Sequence, residues 1–212
     1  APVDVLCLDK TGTLTEGNMK IEKAVLFPGT DSAMFQEWIG NFLTHTQDNN
    51  ATFQAMYTYF DGMDTLSVTE QIPFSSDRKW SAMTFSGAGT LVIGAPEKLC
   101  SDKLPESVLE AQQNGKRVLL VGITQHPVQK EQPLPEIQLL AEVILTDPLR
   151  ANAAKTIAAF QQEGVSVKLI SGDNPMTASA MAQQTGIFQG DRWVDMRTVA
   201  DSEIDAVAAQ YT

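Results

Sequence analysis

The chain contains 212 residues, 43% of them hydrophobic, and its formal net charge is −11 at pH 7. This length suits one large domain or two small ones with an apolar core, and the negative charge argues against binding to nucleic acid or to anionic lipid. No apolar stretch reaches the ~18 residues that span a bilayer, and no signal peptide is evident.

The cysteines and histidines form no recognisable metal site. Cys7 and Cys100 lie far apart, without the spacing of a CxxC pair or of zinc ligands. We expect two reduced thiols, with Cys7 inside a buried strand. His45 and His126 have no metal-ligating neighbour in the sequence.

The first predicted element is a strand that leads into a polar motif. Residues 3–8 are almost uniformly apolar, which is typical of a buried parallel strand, and DKTGTLT follows at residues 9–15. Since ligands of open parallel sheets bind beyond the carboxyl ends of the strands, Asp9 is expected there as a nucleophile towards phosphorus. Lys10 adds positive charge, and Gly12 lets the backbone approach phosphoryl oxygens. A capped turn without function is the alternative.

The middle of the chain predicts an α+β insert. It contains two segments with the apolar spacing of helices and four strand-like runs joined in part by a glycine-rich hairpin turn. The helices are predicted at residues 31–46 and 51–60, the strands at residues 68–74, 80–85, 90–93 and 116–124, and the turn at residues 86–89. The proline-rich residues 125–136 indicate a surface loop.

After residue 140 the pattern becomes strand, helix, strand, helix, which is typical of a parallel α/β sheet. The strands are predicted at residues 142–146 and 165–170, the helices at residues 151–163 and from Pro175 to Gly186, and a capping box at residues 202–205 predicts a last short helix. Asp147-Pro148-Leu149-Arg150 follows the first strand and Ser171-Gly172-Asp173-Asn174 the second.

The three motifs that follow strands are expected to converge at one sheet edge and to transfer a phosphoryl group. Such a site needs a nucleophile, hydrogen-bond donors for the phosphoryl oxygens, and cationic charge. With Asp9 as the nucleophile, Ser171 and the amide of Gly172 are expected to contact the phosphoryl group. Asp173 is expected to orient the site or to lie in the second shell of a magnesium ion. The motif at residues 147–150 is expected to organise the nucleotide end.

A further pair of motifs lies in the insert. FSSDRK at residues 74–79 precedes a predicted strand, and GAPE at residues 94–97 follows one. The ring of Phe74 can stack on adenine, and Lys79 can meet phosphates.

Together these motifs resemble those of the P-type ion-pumping ATPases, and the resemblance covers the whole chain. DKTGTLT is similar to the phosphorylation motif of that family. The other two post-strand motifs resemble its DPPR and TGD motifs, with Leu149 for the second proline and Ser171 for threonine. The pair in the insert resembles the nucleotide-binding domain, whose second motif usually has a lysine where this chain has Ile93.

Two other positions are interpreted through the same resemblance. An acidic residue is usual where Phe53 stands here, after Ala51-Thr52. Phe53 either lines the base pocket or is an ordinary core aromatic. Arg117 fits the family's arginine near the phosphates, with a solvated charge as the alternative.

The resemblance implies a haloacid dehalogenase-like, Rossmann-type parallel sheet of the α/β class with an inserted α+β nucleotide-binding domain. Residues 1–22 and 141–212 would form the phosphorylation domain without its C-terminal part, and residues 23–140 the insert. The implied catalytic residues are Asp9, Lys10, Thr11, Ser171, Gly172 and Asp173. The implied nucleotide-binding residues are Phe53, Phe74, Lys79, Gly94, Ala95, Arg117, Asp147 and Arg150. Asp9 and the carbonyl of Thr11 would bind Mg²⁺.

The implied function is that of a cytoplasm-facing piece of a multi-pass pump in the cell membrane. ATP would phosphorylate Asp9, and the partners would be the transported cation and the rest of the pump chain. The motifs resemble those of the calcium, sodium and magnesium branches in bacteria, and calcium is the cation that we favour. The alternatives are a stand-alone haloacid dehalogenase-like phosphohydrolase, which commonly has an aspartate where Thr11 stands, and a non-catalytic ATP-binding module.

Overall fold

The computed structural model describes residues 3–100 and 102–212, which fall into two compact units. The first unit comprises Ala1–Asn18, Glu110–Arg117 and Asp147–Thr212, and the second comprises Met19–Leu109 and Val118–Thr146. The domain boundaries predicted from the sequence stay a prediction. Within the described ranges, no helix combines the length and the hydropathy needed to cross a membrane.

Helices and strands occur throughout the described ranges, with three consecutive strands between residues 68 and 94 and a segment without helix or strand at residues 125–137. The strands are β1 (Val5–Asp9), β2 (Lys20–Leu26), β3 (Val68–Ile72), β4 (Trp80–Phe85), β5 (Gly89–Gly94), β6 (Arg117–Thr124), β7 (Gln138–Thr146) and β8 (Ser166–Ile170). The α-helices are α1 (Ser32–His45), α2 (Ala51–Tyr59), α3 (Pro96–Leu99), α4 (Glu106–Gln113), α5 (Ala153–Gln162), α6 (Pro175–Gln184) and α7 (Ile204–Gln210).

In the first unit, β1 and β8 form a two-stranded parallel sheet. The register pairs Val5 with Ser166 and Asp9 with Ile170, so both strands end at the same edge. One face of the sheet packs on α5 and α6 around a small apolar core, which contains Leu14, Ala153, Ile157, Val167, Ala182 and Ile187. The predicted parallel pairing of the first strand is therefore present, and the motifs that follow β1 and β8 lie side by side.

The first strand is not buried on both faces, so the expectation for Cys7 is wrong. Side chains alternate between the two faces of a strand. Leu8 packs against the helices, whereas Cys7 is exposed. Val5 and Ile170 are 48% and 60% exposed on the open face. Both cysteines are free thiols, as expected.

The second unit is built on a six-stranded sheet in the order β2-β7-β6-β5-β4-β3. The pairs β2–β7, β5–β6, β4–β5 and β3–β4 are antiparallel. Helices α1 and α2 contribute Trp38, Phe42 and Phe53 to its core. The ring of Trp38 meets Phe85 of β4 edge-on at 5.4 Å between centroids.

Two sequence predictions are corrected by this sheet and by the chain's last helix. Residues 142–146 were expected in the parallel sheet, but β7 begins at Gln138 and pairs antiparallel with β2. A strand buried on both faces gives the same apolar run in either kind of sheet, which explains the error. The predicted capping box is absent, because α7 begins at Ile204 and the residue before it makes no side-chain cap.

Candidate functional site

Asp9 is the last residue of β1, and its side chain is exposed at the end of the strand. The chain then turns within residues 10–14, where Gly12 has a φ of +77°, a conformation that glycine adopts without strain. The amide of Thr15 closes the turn by donating to the carbonyl of Lys10 at 3.2 Å. A compact turn therefore leaves the Asp9 carboxylate open to solvent.

Lys10 and Asp173 form a nearly buried ion pair beside that turn. Their side chains are 4% and 7% exposed, and the Lys10 ammonium contacts one carboxylate oxygen of Asp173. Arg117 donates to the other oxygen. Burial alone raises the pKa of Asp173, but the charges and hydrogen bonds of Arg117 and Lys10 outweigh it and hold the pKa below its usual value. Asp173 is therefore an ionised carboxylate at neutral pH, not a proton donor.

The residues around Asp173 are held by local hydrogen bonds. The hydroxyl of Ser171 accepts from the amide of Asp173 at 3.1 Å. The side chain of Asn174 accepts from the amide of Met176 at 2.9 Å and so caps the N-terminus of α6. Gly172 is exposed, and an added Cβ there would meet open space. The Ser171 loop is thus ordered on one side and accessible on the other.

Asp147 and Arg150 contact the Asp9 turn. One carboxylate oxygen of Asp147 accepts from the Thr15 hydroxyl at 2.6 Å, and the other accepts from the Asn18 amide at 3.1 Å. Arg150 donates through Nη2 to the carbonyl of Gly12 at 2.8 Å and through Nε to that of Thr15 at 3.1 Å. The sequence placed both residues at the nucleotide end of the site. In the structure both side chains contact the turn and the residues that follow it, where Arg150 satisfies two backbone carbonyls. Their placement at the nucleotide end stays a prediction.

Thr15 joins these contacts, and the sequence reasoning missed it. Its side chain is fully buried, where it donates to Asp147 and accepts from the Gly12 amide at 3.1 Å. The sequence signal for Thr15 was a hydroxyl-bearing residue at the end of the DKTGTLT motif, directly after the apolar Leu14. Thr11, the threonine of this motif that the resemblance implied, is exposed.

In the second unit, the structure brings Lys79, Gly94 and Ala95 together. The amide of Ala95 donates to the carbonyl of Lys79 at 2.9 Å. Lys79 has a φ of +61°, in the left-handed region. Its ammonium lies 3.6 Å from a carboxylate oxygen of Glu97. A Cβ at Gly94 would lie 2.5 Å from the Cβ of Trp80, so only glycine fits this position without a shift.

The two phenylalanines assigned to the nucleotide have different surroundings. Phe74 is 37% exposed at the start of its motif. Phe53 is 3% exposed and stacks on Phe42 with centroids 6.2 Å apart. Phe53 therefore occupies the core position that the sequence left as its alternative, and it presents no open face to a base. Arg117, which was also assigned to the nucleotide, lies in the first unit, where it is bound to Asp173.

A magnesium ion is compatible with the residues at Asp9. Mg²⁺ commonly uses one or two protein carboxylates and keeps several waters. The exposed carboxylate of Asp9 and the carbonyl of Thr11 provide such oxygens. Across residues 3–100 and 102–212, no group of three or more His, Cys, Asp or Glu side chains is placed to hold a metal ion.

Comparison with known proteins identifies the family. Residues 3–207 match the sequence model of the haloacid dehalogenase-like hydrolases. The chain is 41% identical over 216 residues to the probable cation-transporting ATPase exp7 of Streptococcus pneumoniae, covering 99% of this chain and 27% of that protein. It is 35% identical over 196 residues to the calcium-transporting ATPase CtpE of Mycobacterium tuberculosis, covering 88% and 24%.

A more distant relative is named for a different cation. The magnesium-transporting ATPase, P-type 1, of Salmonella typhimurium is 24% identical over 242 residues, covering 95% of this chain and 26% of that protein. The chain thus spans about a quarter of the length of these curated relatives. The predicted resemblance and the predicted fold class, with one parallel and one antiparallel sheet, are confirmed. The chain belongs to the haloacid dehalogenase-like hydrolase family, and relatives that it matches along most of its length are cation-transporting P-type ATPases.

Proposed function

We propose that this chain is the cytoplasm-facing catalytic part of an ATP-driven cation pump in the cell membrane, and that Asp9 is its phosphorylated residue. The observation that carries the proposal is the exposed carboxylate of Asp9 beside the buried Lys10–Asp173 pair. Matches to cation-transporting ATPases along 99% and 88% of the chain support it.

In the proposed reaction, a carboxylate oxygen of Asp9 attacks the γ-phosphorus of ATP. The bond between that phosphorus and the bridging oxygen breaks, ADP leaves with the electron pair, and an aspartyl phosphate remains. Ser171 and the Gly172 amide would donate to the phosphoryl oxygens. Mg²⁺ held by Asp9 and the Thr11 carbonyl would neutralise charge on the phosphates.

Two groups of residues would support this step without touching the phosphorus. Asp147, Thr15 and Arg150 hold the backbone of the turn through the contacts described above. Lys10 and Asp173 fix one wall of the site and keep a balanced pair of charges there. A preorganised site of this kind needs little rearrangement when the phosphoryl group arrives.

The second unit would bind the nucleotide. Phe74 is exposed for stacking on the base, and Lys79 and Ala95 lie on the joined segments beside it. Ile93 replaces the lysine that the resemblance leads one to expect and is 2% exposed. We therefore expect base stacking and backbone groups to provide most of the affinity.

The transported cation is proposed to be calcium. The relative from Mycobacterium tuberculosis is named a calcium-transporting ATPase and is 35% identical to this chain. The more distant Salmonella typhimurium relative, at 24%, is named for magnesium.

The test is phosphoenzyme formation on the full-length protein that contains this chain. Membranes would be incubated with Mg²⁺ and ATP labelled at the γ-phosphate, with calcium and other cations varied in turn. We expect an acid-stable, hydroxylamine-labile label that requires Asp9, is absent from Asp9→Asn, and depends on calcium.

Two results would contradict the proposal in different ways. A label that depends on another cation would overturn calcium but not the pump. The absence of a label with every cation, together with phosphate release from small phosphoesters, would favour the stand-alone phosphohydrolase.

A further inference from the structure

Asp48 contacts the backbone of the residue that we propose to stack on the base. Its two carboxylate oxygens lie 3.0 and 3.1 Å from the amide nitrogen of Phe74, which donates to them. The two residues are 26 positions apart. Hydrogen bonds to an ionised acceptor are stronger than those between neutral groups, so this contact ties two separate segments of the second unit together.

The loop that carries Asp48 is itself fixed on two sides. The hydroxyl of Thr46 accepts from the Asp48 amide at 3.2 Å and from Gln71 at 3.3 Å. The hydroxyl of Tyr57 donates to the Asp48 carbonyl at 2.9 Å. Burial and the charge of Asp48 raise the pKa of Tyr57 above its usual value, so this donor keeps its proton. The carboxylate is therefore presented from a constrained loop.

The other end of the contact is the start of the 74–79 motif. Phe74 is 37% exposed, so part of its ring is open to a ligand. Two residues upstream β3 ends at Ile72, and the sheet no longer holds the backbone. The hydrogen bonds from the Phe74 amide to the Asp48 carboxylate therefore anchor the backbone at this point.

We propose that Asp48 is a positioning residue for nucleotide binding: it holds the Phe74 backbone so that the exposed ring is ready to stack on the base. This inference rests on the proposed function, because it requires Phe74 to contact the base of ATP. Stacking on an aromatic side chain contributes to affinity only after the ring is ordered. Asp48 removes part of that ordering cost before ATP arrives.

The experiment measures ATP affinity of the 212-residue chain by NMR titration of its backbone amide signals. Asp48→Ala removes the acceptor, and Asp48→Asn keeps one acceptor oxygen in place. The matched control is Asp31→Ala, because Asp31 also accepts from a backbone amide in the second unit, that of Met34 at 2.8 Å.

We expect Asp48→Ala to weaken ATP binding about tenfold, Asp48→Asn to restore most of the affinity, and Asp31→Ala to change it less than about twofold. In a Phe74→Ala background, Asp48→Ala should cause no further loss, since the residue acts through that ring. Faster amide exchange around Phe74 in Asp48→Ala should accompany the loss.

The outcomes separate this inference from the function on which it rests. If Phe74→Ala weakens ATP binding and Asp48→Ala does not, the proposed nucleotide site stands and the inference is wrong. An equal loss from Asp48→Ala with and without the Phe74 ring would also overturn it. If the chain does not bind ATP at all, both proposals fail for the second unit.

Discussion

At the scale of single residues, adjacent side chains of the Asp9 turn have opposite environments. Asp9 is exposed, whereas Lys10 is 3% exposed and paired with Asp173. The lysine charge is therefore balanced within the protein rather than offered directly to a ligand. Lys10 therefore does not hold the Asp9 carboxylate in an ion pair.

The ion pair predicts a pH-dependent loss of stability for Asp173→Asn. Near neutral pH the substitution leaves Lys10 buried without its partner, and we expect unfolding to require about 1–3 kcal/mol less free energy, below the range for fully buried pairs. Arg117 is 32% exposed, which is why we discount the value.

The pH dependence of this effect follows from the lowered pKa of Asp173. The ionised carboxylate contributes its stability above the unfolded pKa of about 4, and that contribution is lost as the pH falls through the lower folded value. The difference from wild type should therefore shrink below about pH 4. Urea unfolding, followed on amide signals of the first unit, measures this difference at each pH. The control is Asp64→Asn, because the Asp64 side chain is 73% exposed. A stability difference that is independent of pH would show that the charge of Asp173 is not what stabilises the fold.

Thr15 predicts a loss of stability that depends on one hydroxyl. Thr15→Val keeps the shape but leaves one of the two Asp147 carboxylate oxygens without its donor and the Gly12 amide without its acceptor. An unsatisfied buried polar group costs roughly 1–3 kcal/mol. Thr15→Ser keeps the hydroxyl and should lose less than half as much in thermal unfolding. Equal losses for the two variants would show that the methyl group matters rather than the hydrogen bonds.

At the scale of elements, local patterns predicted local structure. Strand β4 lies at the predicted residues 80–85, and α1 begins at Ser32 after an Asp31 side-chain cap. Strand β2 was missed because it is an edge strand with charged residues and a bulge near Ile21. Helix α4 was missed because its buried residues, such as Val108 and Ala111, are too few to give a clear stripe.

The candidate site likewise has a part that the sequence predicts and a part that it does not. The motifs themselves are short and contiguous, so the sequence predicts them. Which groups a charged side chain contacts depends on residues far along the chain: Asp147 meets Thr15 across 132 positions. No local pattern distinguishes an aspartate that contacts a nucleotide from one that holds a turn. The contacts of Asp147 and Arg150 with the turn were therefore not predicted, and their role at the nucleotide end stays a prediction.

The close packing of β5 on β4 predicts that Gly94→Ala destabilises the second unit. The added Cβ would lie 2.5 Å from the Cβ of Trp80 and 2.7 Å from the Lys79 carbonyl, so the backbone must move. Such overpacking costs about 1–3 kcal/mol. Gly172→Ala, whose Cβ would meet open space, is the matched control and should change the unfolding midpoint little. A tolerated Gly94→Ala would mean that β5 shifts easily.

At the scale of the whole molecule, the chain corresponds to about a quarter of its curated relatives. Its two units carry separate sets of functional residues, with the Asp9 turn in the first and the Phe74 segment in the second. The comparisons support a pump, and the residues that select a cation are proposed to lie outside this chain.

We predict that the isolated 212-residue chain does not turn over ATP in an Asp9-dependent way. We expect the reaction to require the full length of a protein like the curated relatives, of which this chain spans about a quarter. Phosphate release from ATP would be compared between the wild type and Asp9→Asn. A rate that is high in the wild type and lost in the variant would contradict the prediction.

The backbone of Lys79 determines how its charge should be tested. With a φ of +61°, the residue has a conformation that glycine adopts freely and that alanine adopts at a cost of roughly 1 kcal/mol. Lys79→Ala would therefore remove the ammonium while keeping the strain. Lys79→Gly would remove the ammonium and relieve it. A comparison of the two separates electrostatics from loop conformation, so a weakened nucleotide affinity shared by both can be attributed to the missing positive charge.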